Sequence, residues 1–181
     1  HTGAVCVPRA PQPAEDALAA RRLARAWHEH VALDLVSTCE HHLLPFSGVA
    51  HVGYLLAPAD ASDEGVVAAS EEIPAAALGR ARAQALVDHF ATRLQVQERI
   101  TEQVADALIG ADVRACVGGR RIAGACVVIE AAHMCMSARG VRKPRSATVS
   151  VAVRGVLGAG GTAATARMVA ALMSARTAAT R

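Results

Sequence analysis

The chain has 181 residues, 52% of them hydrophobic but only 2% aromatic, and a formal charge of +3. That length suits one domain with a core of small aliphatic side chains, and no run of about 18 apolar residues is present to span a membrane. The mild charge, with no aromatic interleaving and no recognised binding motif, gives nucleic-acid binding little support.

Five cysteines at irregular spacing (Cys6, Cys39, Cys116, Cys126, Cys135) are a poor disulfide framework and suit a reducing cytoplasm. Cys116 and Cys126 read as buried or half-buried thiols. The amino terminus lacks a basic start followed by an apolar block, so no signal peptide is expected.

Residues 1–14 carry Pro8, Pro11 and Pro13 and read as a loose tail, with a single domain over 15–181. Leu18, Leu23 and Trp27 at near-helical spacing predict an amino-terminal helix over Glu15 to Val31. Leu33 to Thr38 and Ser47 to Leu56 read as an antiparallel pair of strands, with Pro45 and Gly48 marking the turn. Pro58 to Glu72 reads as a polar loop. Pro74 suits a helix start, and the rhythm of Leu78, Leu86, Phe90, Ile100, Val104 and Leu108 predicts helices over 75–92 and 96–109, with a bend near Arg93-Leu94. Gly110 ends the pattern. Ile122 to Met136 and Ser146 to Leu157 read as strands, Gly158 to Gly161 as a hinge, and Thr162 to Ala175 as a carboxy-terminal helix. The predicted class is α+β.

Chemistry concentrates in Cys39-Glu40-His41-His42 and His133-Met134-Cys135. Cys39 and His42, three residues apart, can reach one ion from a single turn. His133 and Cys135, two apart, point to one face of an extended strand. Three of these four groups make a Cys/His/Cys zinc site with one position open, the mark of catalytic zinc; a closed structural knot is the bland alternative. Gln95-Val96-Gln97-Glu98-Arg99-Ile100-Thr101 falls on a predicted helix, where glutamine and glutamate ordinarily read as solvated surface. The basic clusters Arg21-Arg22-Arg25, Arg80-Arg82 and Arg139-Arg142-Lys143-Arg145 read singly as solvated surface. Brought together by folding, they fit a polyanion such as a triphosphate.

In this order the three segments resemble the GTP cyclohydrolase I family. The resemblance rests on Cys39 to Phe46, Gln95 to Arg99, and His133, Cys135 and Ala138-Arg139-Gly140, within a span from about Leu35 to Val156. It implies the tunnelling fold (T-fold): an antiparallel sheet with two core helices, assembled by subunits joining sheet edges. It also implies a homo-oligomer, a decamer of two pentamers. The implied reaction is hydrolytic opening of the guanine imidazole ring of GTP, with loss of formate, to give 7,8-dihydroneopterin triphosphate, a pterin and folate precursor.

By the same resemblance Zn2+ is held by Cys39, His42 and Cys135 and makes hydroxide available near neutral pH. His133 protonates N7 of the opening ring, and His41 is the second catalytic histidine. Glu98 pairs with the two adjacent donors of guanine and Gln97 helps hold the base. Arg139, Arg22 and Arg25 are the implied phosphate contacts.

The family's serine and lysine ahead of its first core helix fall here on Ala81 and Arg82, and its following arginine on Ala85. Alanine supplies neither hydroxyl nor cation, so Arg82 and Arg80 are the candidates to compensate. The stretch from Trp27 to Cys39 is also shorter than the family's. These departures leave a second reading open, a divergent member acting on another guanine or purine compound or stopping at the ring-opened product. A zinc-stabilised interaction protein has no need of His41, His133 and Glu98. A nitrile-reducing relative of the same fold would use a cysteine nucleophile in place of this metal set.

Overall fold

Alternation over Leu33 to Ser37 in β1 (Trp27–Cys39) and a continuous buried run from Ala50 in β2 (Pro45–Leu56) draw the two into an antiparallel hairpin. In this computed structural model the described residues are 27–57, 77–110, 120–139, 142–143, 146–159 and Ala170. Onward from β2 come α1 (Arg80–Ala91), the two-residue β3 (Leu94–Gln95), α2 (Gln97–Ile109) and β4 (Ile122–His133). A helical turn α3 (Met134–Ser137), β5 (Thr148–Gly155) and a second turn α4 (Val156–Ala159) complete the described elements. The sheet order is β3-β1-β2-β4-β5, so the class is α+β as expected.

Both helices cover one face of the sheet. Leu33, Leu35, Phe46, Val52 and Tyr54 from the hairpin, and Val127 and Ile129 from β4, pack against Val87, Ile100, Val104 and Leu108 of the helices. Isoleucine, valine and leucine buried at this density supply the main driving force, each contributing about 1.5–3 kcal/mol when fully removed from water. The other face is covered locally, where Leu55, Cys126, Val128 and Leu157 meet Trp27 and Val153. Cys126 is fully buried there and its thiol is pushed up to about 11 by loss of solvation, so it is an inert core residue. No helix among the described residues is long and apolar enough to cross a membrane.

Four expectations are corrected. The sheet is mixed: β3 pairs parallel to β1, Thr38 with Leu94 and Cys39 with Gln95. Arg93-Leu94 is therefore not a bend within a helical hairpin but a strand added at the sheet's edge.

Trp27 to Val31, expected at the end of a helix, belong to β1, with Trp27 opposite Leu55 and His28 opposite Tyr54. Sheet pairing and the stacking of His28 on Tyr54 at 5.3 Å outweigh the local alanine-rich helical preference. The rest of that predicted helix, the loop from Pro58 to Glu72, and Pro74 lie outside the described residues, as does the carboxy-terminal helix apart from Ala170.

The first core helix starts at Arg80 rather than near 75. Leu78 is held by the sheet: its N–H donates to Tyr54 Oη at 2.8 Å and its carbonyl accepts from His30 Nε2. Finally, β5 stops at Gly155, whose φ of +65° only glycine adopts cheaply, and the expected hinge begins as the helical turn α4.

The Trp27 correction is directly testable. A Cβ built on Gly53 would lie within van der Waals overlap of the Trp27 ring. Gly53→Ala is expected to destabilise the protein by about 1–3 kcal/mol, the usual cost of overpacking, and to shift the emission of its single tryptophan. Unchanged emission would place Trp27 away from β2.

Candidate metal centre

The site forms where β1, β3, α2 and β4 end together. Cys39 closes β1: its N–H donates to Leu44 O at 2.9 Å and its carbonyl accepts from Leu43 N at 2.8 Å. The turn between them carries Glu40, His41 and His42, with Leu43 at a φ of 54°. On the other side Glu40 N donates to Gln95 O at 3.0 Å, which docks the turn against the start of α2. His133 ends β4 opposite Phe46. Cys135 follows on the helical turn α3, not on an extended strand as expected, and reaches the same place from there.

Among the described residues, the ligand atoms of Cys39, His133 and Cys135 all lie within 4.8 Å of one another. His42 is beside this trio, its Nδ1 3.6 Å from Cys39 Sγ. A tetrahedral zinc with Zn–S about 2.3 Å and Zn–N about 2.0 Å spaces its ligand atoms roughly 3.3–3.8 Å apart. The Cys39–His42 separation meets that spacing, and the trio lies within 4.8 Å. Two thiols with imidazole are a donor set suited to zinc. Cys39 is buried, Cys135 and His133 are half-buried, and His42 is exposed, so the centre opens to solvent on the His42 side.

His133 is the most tightly held of the four. Its ring stacks on buried Phe46 at 4.5 Å and 7°, and its Nε2 is 2.8 Å from Gln97 Oε1. Burial pushes its pKa below the ordinary histidine value; Glu98 opposes that shift and His42 adds to it. Glu98 is exposed at the first turn of α2, near enough to act on His133.

Gln97, expected to help hold the base, is buried at the start of α2. It is 1% exposed, and its carboxamide is spent inside the protein on Ile129 O, Thr148 O, Ser150 Oγ and His133. His41 is exposed and lies 3.8 Å from Glu40, outside the trio. Arg82 is exposed on α1 and Arg139 exposed after α3. Arg22 and Arg25 lie outside the described residues.

The sequence reading assigned no role to Glu40 and Arg99, although both sit inside its motifs. Arg99 grips Glu40 with both terminal nitrogens, Nη2 at 2.8 Å from Oε1 and Nη1 onto Oε2. This fork-to-fork pair ties the turn bearing Cys39 and His42 to α2. It also holds the Glu40 carboxyl below the usual range and raises Arg99. Opposite charges in two separate motifs were the available signal. Glu40→Ala and Arg99→Ala are each expected to weaken zinc binding by roughly 10-fold, as loss of supporting contacts around a metal does. The double variant should be little worse than either single one. Additive losses in a zinc titration would mean the two residues act separately.

A model of the family described as GTP cyclohydrolase I matches residues 16–67 and 73–172. GTP cyclohydrolase 1 of Bifidobacterium longum (strain NCC 2705) is 45% identical over 125 residues, covering 69% of this chain and 51% of that protein. GTP cyclohydrolase 1 of Mycobacterium tuberculosis (strain ATCC 25618 / H37Rv) is 46% identical over 125 residues, covering 68% and 50%. That of Streptomyces avermitilis is 44% identical, covering 69% and 51%. The chain thus spans about half the length of these curated relatives.

Proposed function

The chain belongs to the GTP cyclohydrolase I family, and from that membership and the gathered thiols and imidazoles we propose that it opens the guanine imidazole ring of GTP by hydrolysis. Formate leaves and the remainder becomes 7,8-dihydroneopterin triphosphate. The observation that carries the reading is the meeting of Cys39, Cys135, His42 and His133 at one end of the sheet, beside the start of α2.

Zinc bound there supplies a Lewis acid that favours attack by water near neutral pH. If all four groups bound it, the tetrahedral shell would close and leave no place for chemistry. Cys39, His42 and Cys135 are the proposed ligands. His42 already faces Cys39 Sγ at ligand spacing, whereas His133 is drawn toward Gln97.

His133 then carries the proton that N7 gains as the ring opens. Burial disfavours its charged form, which suits a group that takes up a proton and passes it on. Glu98, exposed on the same side, offers two acceptor oxygens to the paired donors of guanine. His41, Arg82 and Arg139 remain the proposed second catalytic histidine and phosphate contacts, with Arg22 and Arg25 on the segment before β1. In this reading the domain is a T-fold and works as a homo-oligomer, a decamer of two pentamers. Val149 and Val151 of β5 are half exposed, as side chains awaiting a neighbouring sheet would be.

Cys135→Ala and His42→Ala are expected to lose zinc and with it all ring opening. His133→Ala is expected to keep zinc and lose ring opening by roughly 100-fold or more, the scale of a positioned proton carrier. Metal analysis and formate release measure the two separately. Full zinc occupancy without Cys135, or parental turnover without His133, would refute the assignment.

One observation favours the divergent reading. Ala81 and Ala85 are exposed on α1 where the family resemblance puts a hydroxyl and a cation. A lost charge-assisted phosphate contact costs about 1.5–3 kcal/mol, or roughly 10- to 150-fold. Ala85→Arg with Ala81→Ser is expected to raise the ratio of kcat/KM for GTP over GMP by about that factor. A parent that already prefers GTP by roughly a thousand-fold or more, the worth of two intact contacts, would remove the divergent reading.

A further inference from the structure

Gln97 opens α2 with a side chain that never reaches solvent. Its Nε2 lies 3.0 Å from Ile129 O and 2.9 Å from Thr148 O. Backbone carbonyls only accept hydrogen bonds, so the atom facing them must be the amide nitrogen. The reversed amide would set an oxygen against two carbonyl oxygens in a buried site. Gln97 Oε1 therefore faces His133 Nε2 at 2.8 Å, and a carbonyl oxygen can only accept. The proton must sit on His133 Nε2.

The surrounding hydroxyls agree with this direction. Thr101 Oγ1 donates to Gln97 O at 2.8 Å, so in the 2.6 Å contact between Thr101 and Ser150 the serine is the donor. Ser150 Oγ is then left to accept from Gln97 Nε2 at 3.0 Å. The two protons of the Gln97 amide are shared among these three acceptors, none of which can donate to its oxygen in this arrangement. Phe46 meanwhile holds the plane of the imidazole by stacking.

We propose that Gln97 is a positioning residue that locks His133 in its Nε2–H tautomer, leaving Nδ1 as the ring's only proton-accepting atom. The proposal rests on the reading of His133 as proton carrier for its consequence, but not for its measurement. The imidazole then presents one defined nitrogen, Nδ1, away from Gln97, while its Nε2–H stays directed at Gln97 Oε1. A histidine free to exchange tautomers would present the wrong nitrogen for part of the time, and a hydrogen bond from the other nitrogen is what sets the choice.

The test is a ring-nitrogen NMR spectrum of protein labelled with 15N-histidine, in mildly alkaline buffer where the ring is neutral. His133 is assigned by its loss in His133→Asn. The parent should show His133 wholly as Nε2–H. In Gln97→Leu the signal should become a mixture of tautomers. Turnover of GTP should fall roughly 10-fold or more, with KM and zinc content retained. Ser150→Ala leaves Gln97 its two backbone carbonyls and should keep the parental tautomer. A parent spectrum showing Nδ1–H or a mixture would overturn the proposal, and so would a Gln97→Leu spectrum that keeps Nε2–H alone. If Gln97→Leu does not fold, the parent and Ser150→Ala spectra still decide. The spectrum needs no substrate, so a parent inactive on GTP would sink the functional reading and leave the lock standing.

Discussion

The end of the sheet depends on one buried carboxamide. Gln97 joins α2 to β4 through Ile129, to β5 through Thr148 and Ser150, and to the metal centre through His133. Burying an amide without partners costs several kcal/mol by water-to-hydrocarbon transfer, and satisfying it recovers most of that cost. The net gain is therefore specificity more than stability. Only the observed register of β4 against β5, Ile129 opposite Ser150, brings both acceptors within reach of one side chain. A slip of one residue would turn Ser150 to the other face and leave the amide unsatisfied. His133, four residues beyond Ile129, inherits its position from that register.

A second tie works on the opposite side of the centre. The parallel pairing of Cys39 with Gln95 and the Arg99–Glu40 pair fix the Cys39 turn to the same helix. Gln95 is itself buried, its amide spent on Phe90 O and Gln103. The segment Gln95 to Arg99 therefore divides its labour by position. Gln95 and Gln97 point inward and set geometry, Arg99 grips the turn, and Glu98 is left exposed beside the centre, facing solvent as Arg99 does. Two ligand-bearing segments distant in sequence thus meet because each is tied to the start of α2.

The sequence made the strands, the two core helices and the chemical groups legible because each leaves a local trace. The turn residues Pro45 and Gly48 and the apolar run to Leu56 mark β2, the spacing of Ile100, Val104 and Leu108 marks α2, and cysteine beside histidine marks a metal. What it concealed depends on partners far along the chain. Trp27 has helical neighbours in sequence, but its fate is decided by Gly53 and Leu55 across the sheet. Leu94-Gln95 is too short for any period to show, and exists as a strand only because β1 offers an open edge. Gln97 on a helix reads as solvated until β5 is known to lie over it. His133 and Cys135 read as one strand face, and the helical turn at Met134 that separates them carries no local signal.

The same dependence limits how the altered half of the site can be repaired. Two arginines border the places left by Ala81 and Ala85. Arg80 donates from Nη2 to Ala32 O at 2.8 Å, where β1 changes register between His30 and Leu33 and Ala32 takes a φ of 51°. That carbonyl belongs to a bulge whose ladder is broken, so the guanidinium satisfies a backbone group the sheet leaves open. Moving Arg80 to a phosphate would trade one charge-assisted contact for another and gain little. Arg82 is exposed on α1 one residue past Ala81. In the divergent reading proposed above, alanine at 81 and 85 leaves the phosphate chain less firmly held than the base.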